Sequence, residues 1–323
     1  MTKKQGILLV NLGTPSHATP EAIKQYLKEF LLDRQVVDLN PLIWRPILQC
    51  FVIPKRLKYI VEHYQSIWLN DQSPLLYYSQ QLCQKVQSHY PNVSCELAMT
   101  YGEPDLNDAL IRLQQCDTVH VISLYPQYST TTTLAVINKV KQLTKNWPQS
   151  PIFNYLHDYA DHPKYIAALV NQIDQHICIN QPDTLILSYH GIPMSYIKKR
   201  HDEYAQRCEL TTMLVKQKIA QYYPKLDIIM AYQSRFGKAK WTGPNTSDVL
   251  CELGKQEKSV AVICPGFSAD CIETLYEIDV ENSELFIGCG GEQFNYIPAL
   301  NDSQMQVDML SAIIDELLDY NSN

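Results

Sequence analysis

The sequence predicts an α/β protein built on two parallel sheets of four strands each. Eight short apolar runs lie between turn signals and alternate with stretches of helical periodicity. These runs are almost continuously apolar, as strands covered by helices on both faces must be. The polar, proline-marked segment HDYADHP at 157–163 leaves four runs on either side. A chain of 323 residues is long enough for two such domains with substantial cores.

The first run, GILLVNL at 6–12, precedes Thr19-Pro20, which reads as an N-cap followed by a proline at the first helical position. Ile23, Tyr26, Leu27, Phe30 and Leu31 then recur at helical spacing. In PLIWRPILQCFVIP, Pro41 to Pro54, Pro46 is read as starting a short helix and Pro54 as ending it. Ile47, Leu48, Phe51 and Val52 fall on one face there, after Leu42, Ile43 and Trp44, with Arg45, Lys55, Arg56 and Lys58 at the flanks. That pattern fits either a core helix or an exposed apolar patch ringed by basic residues. The remaining strand runs are CELAM (95–99), TVHVISL (118–124), IFNYL (152–156), TLILSY (184–189), DIIMAY (227–232), VAVIC (260–264) and ELFIG (284–288). The expected domains are 1–160 and 161–302, with the last helix, in 303–323, packing back on the first.

Composition excludes several classes. A net charge of -7 argues against a nucleic-acid footprint. The apolar run near the N-terminus is too short for a signal peptide, and no run approaches the roughly 18 apolar residues of a membrane span. Ten scattered cysteines without a C-x-x-C pair read as reduced thiols of a cytosolic protein. No phosphate-binding glycine loop, G-x-S-x-G elbow or H-E-x-x-H pair occurs.

In open parallel sheets, working groups gather just past the carboxyl ends of strands. His190 sits at such an end, before Gly191-Ile192-Pro193, as do Leu12, Tyr125, Gln233-Ser234 and Pro265-Gly266-Phe267. A lone strand-end histidine is more often simply hydrogen-bonded in a turn, so a partner must decide. PGFSADCIETLYEIDVE supplies one. If Ser268 or Asp270 caps a helix, Asp270, Glu273 and Glu277 fall at i, i+3 and i+7 on one face, with Ile272, Leu275 and Tyr276 inward. Three carboxylates beside an imidazole make an oxygen-rich track that suits passing a hard divalent cation along better than keeping it. The plain alternative is a solvated helix face. Strand-end aromatics such as Tyr125, Tyr128 and Trp241 suit a cleft for a flat, apolar ligand with polar edges.

Taken together, LVNLGTP (9–15), LYPQYSTTTT (124–133), LSYHGIP (187–193), YQSRFGKAKWTGP (232–244) and PGFSADCIETLYEID (265–279) resemble the ferrochelatase family, whose members insert Fe²⁺ into protoporphyrin IX to give protoheme. The resemblance implies two Rossmann-like domains, each a four-stranded parallel sheet flanked by helices, the chelatase fold. It implies that His190 and Glu273 are the catalytic pair and metal site, that Asp270 and Glu277 form a proton or metal track, and that Leu12, Tyr125 and Trp241 contact the porphyrin. It implies no permanently bound cofactor, Fe²⁺ being a substrate. It places the 41–54 segment at the lip of the porphyrin cleft, where peripheral contact with the inner face of the cytoplasmic membrane would let the porphyrin pass without crossing water. Transient contacts with neighbouring heme-pathway proteins are expected, and a cytoplasmic location is expected from the cysteines and the short apolar runs.

Two departures matter. Animal members carry C-terminal cysteines that bind a [2Fe-2S] cluster; here no cysteine follows Cys289, so no cluster is expected. Animal members also have a histidine where this chain has Cys271, whose soft thiol either joins the metal track or, as read here, serves as a small buried hydrophobe. A porphyrin or heme carrier would need no acidic track. Coproporphyrin enzymes typically carry Tyr in place of Leu12, and the small cobalt chelatases are much shorter chains.

Overall fold

A computed structural model describes residues 4–179, 181–237 and 239–320. Among these residues, eight strands form two four-stranded sheets in which every pairing is parallel. The first sheet holds β1 (Gln5–Gly13), β2 (Ser94–Tyr101), β3 (Thr118–Ser123) and β4 (Ile152–Tyr155) in the order β2-β1-β3-β4. The second holds β5 (Thr184–His190), β6 (Asp227–Gln233), β7 (Ser259–Ile263) and β8 (Gln293–Ile297) in the order β6-β5-β7-β8.

Each sheet has its own core. In the first, Leu8, Val10 and Val121 pack with Leu106 and Leu110 of the helix Leu106–Leu113 and Val136 of the helix Thr133–Thr144. In the second, Ile186, Val260 and Val262 pack with Leu250 of the helix Thr246–Gly254, Ile278 and Phe286. Burying each such side chain stabilises the fold by about 1.5–3 kcal/mol before entropy is counted. Described residues of 1–125, 130–158 and 310–323 form one compact unit, and those of 126–129 and 159–309 the other. The last helix, Gln304–Tyr320, runs from the second unit into the first, where the Tyr90 hydroxyl donates to the Ser311 carbonyl and to Asp315.

Three expectations are corrected. ELFIG is not a strand: Ser283–Gly288 is helical, with Phe286 buried and Leu285 and Ile287 exposed. Three consecutive apolar residues carry no readable period, and the strand that pairs with β7 is QFNYI at 293–297, whose alternation sets Phe294 and Tyr296 against the core. Pro54 does not end a helix. Asn40 caps the helix Pro41–Ile47 through its side chain, Pro46 lies inside it, and a π turn at Leu48–Val52 leads into the helix Ile53–Ile67, with Pro54 in the first turn. The π turn shifts the hydrogen-bond register just before Pro54, with the Ile53 N–H on the Leu48 carbonyl, and the helix continues through the proline. The cysteines are not all free thiols: Cys251 and Cys289 form a disulfide with Cα atoms 5.3 Å apart, joining the helix Thr246–Gly254 to the end of the helix Ser283–Gly288. Their spacing of 38 residues gives no local signal.

β1 ends where the backbone leaves a carbonyl no room for a side chain. Gly13 has φ +112°, and a Cβ there would lie 1.7 Å from the Tyr101 carbonyl oxygen. Gly13→Ala should therefore lower the apparent Tm by roughly 4–8 °C, equivalent to about 2 kcal/mol. Gly288→Ala, with open space around the added methyl, should stay within about 0.5 kcal/mol of wild type in the same thermal scan. Equal melting of the two variants would show that the close approach constrains nothing.

Candidate active site

His190 is the last residue of β5 and the register partner of Gln233, the last residue of β6. The strand stops there because Pro193 cannot donate to a ladder and Gly191 turns the chain. The Gly191 N–H still reaches the Gln233 carbonyl at 2.9 Å, and a Cβ on Gly191 would sit 2.8 Å from that same oxygen. The imidazole Nδ1 lies 2.7 Å from the Gly191 carbonyl. A carbonyl only accepts, so Nδ1 carries the proton, and in the neutral ring Nε2 keeps its lone pair. The imidazole is thus set up as a base or a ligand.

The acidic segment follows β7 but does not form the single helical face read from the sequence. Neither Ser268 nor Asp270 caps the helical turn Ile272–Leu275; Cys271 does, with its N–H donating to Thr274 Oγ1 at 2.9 Å. Asp270 precedes the turn, is 2% exposed, and accepts from the Thr274 hydroxyl, the Tyr296 hydroxyl, the Asn301 amide and the Ala299 N–H. With both oxygens so occupied, it acts as a node tying the turn to the segment after β8. Glu273 lies on the turn, and its main-chain carbonyl accepts from Gln233 Nε2 at 2.7 Å.

Glu277 opens a second π turn, Glu277–Asn282. One carboxylate oxygen accepts the Ser234 N–H at 2.6 Å and the other the Ser234 hydroxyl at 2.5 Å. Ser234 adopts φ +62°, the left-handed region, to present both donors at once. Burial pushes the Glu277 carboxyl above the ordinary carboxylate range; the Ser234 hydroxyl and His190 oppose that, and Glu273 adds to it. His190, Glu273 and Glu277 therefore share one electrostatic neighbourhood. Among the described residues, no group of three or more His, Cys, Asp or Glu side chains is arranged to hold a metal ion. Burial, and next Glu273, hold the Cys271 thiol well above its usual range, so it is a neutral, buried thiol.

Trp241 belongs to the same unit. It bridges to Pro193, its Nε1 donates to the Phe236 carbonyl at 2.8 Å, and its ring lies 3.4 Å from where a Gly191 Cβ would stand, beside the His190 turn. Leu12 and Tyr125 belong to the other unit, at the ends of β1 and β3. Leu12 is half-buried, whereas the Tyr125 ring packs on the first core with its hydroxyl buried. Burial pushes that phenol above its ordinary range. Sequence reading marked Gln233-Ser234 only as a strand end and missed that this dipeptide holds both glutamates. Ser188, the one polar residue inside an apolar strand, was the available signal, since its hydroxyl bonds Gln233 Oε1 at 2.8 Å.

Residues 4–318 match the family model described as Ferrochelatase. The chain is 44% identical over 315 residues to a ferrochelatase of Yersinia enterocolitica, covering 96% of this chain and 97% of that one. It is 45% identical over 318 residues to a ferrochelatase of Proteus mirabilis, covering 97% and 98%. Among solved structures it is similar to SirB from Bacillus subtilis with Fe³⁺, at TM-score 0.58 and 12% identity, covering 97% of this chain and 95% of that one. It is also similar to CbiX, the terminal enzyme for siroheme biosynthesis in denitrifying bacteria, at TM-score 0.53 and 11% identity over 96% and 98%. At such identities these two likenesses speak to the fold, two four-stranded parallel sheets flanked by helices, while the curated relatives, matched end to end, speak to the family. The chain belongs to the ferrochelatase family.

Proposed function

We propose that this protein inserts Fe²⁺ into protoporphyrin IX with release of two protons, giving protoheme, through His190 and Glu273. The observation that carries the site assignment is the Gly191 carbonyl holding the His190 Nδ1 proton, which leaves Nε2 as acceptor in the neighbourhood of Glu273 and Glu277. Metalation has to remove two pyrrole protons and strip water from Fe²⁺, while a planar macrocycle presents neither its protons nor its lone pairs well. Binding energy directed into bending the ring, on the order of 1–5 kcal/mol, lowers that barrier. His190 Nε2 accepts the two pyrrole protons in turn, handing each to Glu277, and Glu273 supplies the anionic oxygen for the metal.

Glu277 passes protons on from His190. Ser234 donates to both of its oxygens and so favours the carboxylate against burial. Asp270, read from the sequence as a track member, instead anchors the segment that carries Glu273, because its oxygens already hold four donors. Leu12, Tyr125 and Trp241 are proposed porphyrin contacts. Leu12 rather than Tyr favours protoporphyrin over coproporphyrin, and a carrier would have no use for Glu277.

A cytoplasmic location is proposed, with transient docking to neighbouring heme-pathway proteins. Among the described residues, no helix is long and apolar enough to cross a membrane. A peripheral contact is supported by the helix Pro41–Ile47 and the π turn after it, where Leu42 is 85% and Phe51 71% exposed. Arg45 and Lys55 are exposed nearby, so the face suits an anionic bilayer surface. Trp44 contributes less, because it is half-buried with its Nε1 on the Leu31 carbonyl.

Three outcomes follow. In an anaerobic assay with Fe²⁺ and protoporphyrin, His190→Ala should lose about 10²–10⁴-fold in kcat while still quenching porphyrin fluorescence on binding. Glu273→Gln should lose heavily and Glu277→Gln less; wild-type rates in the first two variants would remove the pair from the chemistry. Purified protein should lack the visible absorption and acid-labile sulfide of a [2Fe-2S] cluster, and stoichiometric sulfide would refute its absence. Vesicles of phosphatidylglycerol with phosphatidylcholine should bind the protein in a salt-sensitive manner, and Leu42→Ser with Phe51→Ser should weaken that binding; indifference to the pair would exclude this face.

A further inference from the structure

We infer that Gln233 is a positioning residue for metal insertion, fixing Glu273 relative to the turn that carries His190. This rests on the roles proposed above for those two residues. Gln233 is 1% exposed, and each of its polar groups except the main-chain N–H contributes to the network beneath the site. Its main-chain carbonyl accepts the Gly191 N–H at 2.9 Å. Its side-chain Oε1 accepts from the Ser188 hydroxyl at 2.8 Å and the Cys264 thiol at 3.3 Å. Its Nε2 donates to the Glu273 carbonyl at 2.7 Å.

These partners admit one orientation of the amide. A carbonyl cannot donate, so the nitrogen must face Glu273, and the oxygen then faces two donors. Cys264 is such a donor because burial holds its thiol well above the usual range. Ser188 is in turn paired with Thr246 Oγ1 at 2.8 Å, so the amide is braced by the first residue of the helix Thr246–Gly254. Of these bonds, the one from Nε2 reaches the segment that carries Glu273. That segment, Ile272–Leu275, is the first turn of a run that continues as a π turn from Glu277, and its N-terminal side is held by tertiary bonds. Asp270 ties it to the segment after β8; Gln233 ties it to the end of β6, alongside His190. A displacement of about 1 Å in such a site costs on the order of 10²-fold in rate.

The test uses the full chain and the anaerobic Fe²⁺ assay. Gln233→Leu removes the Nε2 donor to the Glu273 carbonyl, and the acceptor for Ser188 and Cys264 with it, at similar volume. Gln233→Met fills the volume without any donor and serves where the first variant does not accumulate. Circular dichroism and porphyrin fluorescence quenching establish folding. The expected result is a fall in kcat of about 10–100-fold, with KM for porphyrin within about threefold of wild type. Combined with Glu273→Gln, Gln233→Met should add less than about twofold, because it acts through the same residue. A folded variant with wild-type kcat, a change confined to KM, or losses that multiply with Glu273→Gln would overturn the inference. If His190→Ala and Glu273→Gln themselves turn over at wild-type rates, the proposed site fails; if they are inactive while Gln233→Met is not, positioning alone fails.

Discussion

The bond from the Gly191 N–H to the Gln233 carbonyl, 2.9 Å across the ends of β5 and β6, is the constraint on which the site depends. It extends the parallel ladder one step beyond His190 while the chain is already turning toward Pro193. Because the ladder continues, the histidine backbone is as rigid as the sheet. Because the chain turns, the Gly191 carbonyl comes round to take the Nδ1 proton of the ring before it. Only glycine allows both, since a Cβ would meet the very carbonyl that holds the turn. That backbone bond fixes where the imidazole stands, and the Gly191 carbonyl fixes which nitrogen carries the proton in the neutral ring.

Around that bond lie polar groups that burial would make unfavourable if any were left alone. An unpaired buried donor or acceptor costs about 1–3 kcal/mol, so each must be matched or removed. Ser188, Gln233, Thr246 and Cys264 match one another, and the surplus donor of the glutamine amide goes to Glu273. Their contribution is directional more than energetic. An apolar core of the same volume could be as stable, but it would not dictate where a one-turn helix sits.

The two sheets were legible because buried parallel strands announce themselves as apolar runs, and seven of those runs overlap β1 to β7. β8 was not legible for the converse reason: QFNYI at the sheet edge alternates, and the apolar ELFIG before it outscored it while packing as a helix around Phe286. At the site, the histidine at a strand end and a glutamate following the next strand in the sheet could be read from order alone. The split among the carboxylates could not. Spacing of three and seven residues assumes one regular helix, and the chain has instead a loop residue, a single turn and a π turn. The Cys251–Cys289 bond and the paired donors of Ser234 are facts of three-dimensional proximity, with no local sequence signature.

Asp270 and Glu277 show how burial separates two chemically similar side chains. Asp270 receives donors from four residues spread between its own turn and the segment after β8, so moving it would break contacts in several places at once. Such a carboxylate is a structural fixture. Glu277 receives both of its donors from one residue, and that residue is held in the left-handed region, which a serine does not favour. Burial raises its proton affinity while Ser234 and His190 lower it, so its protonation responds to the charge carried by the imidazole. The difference between the two carboxylates is set by the number and origin of their donors, not by the acid itself.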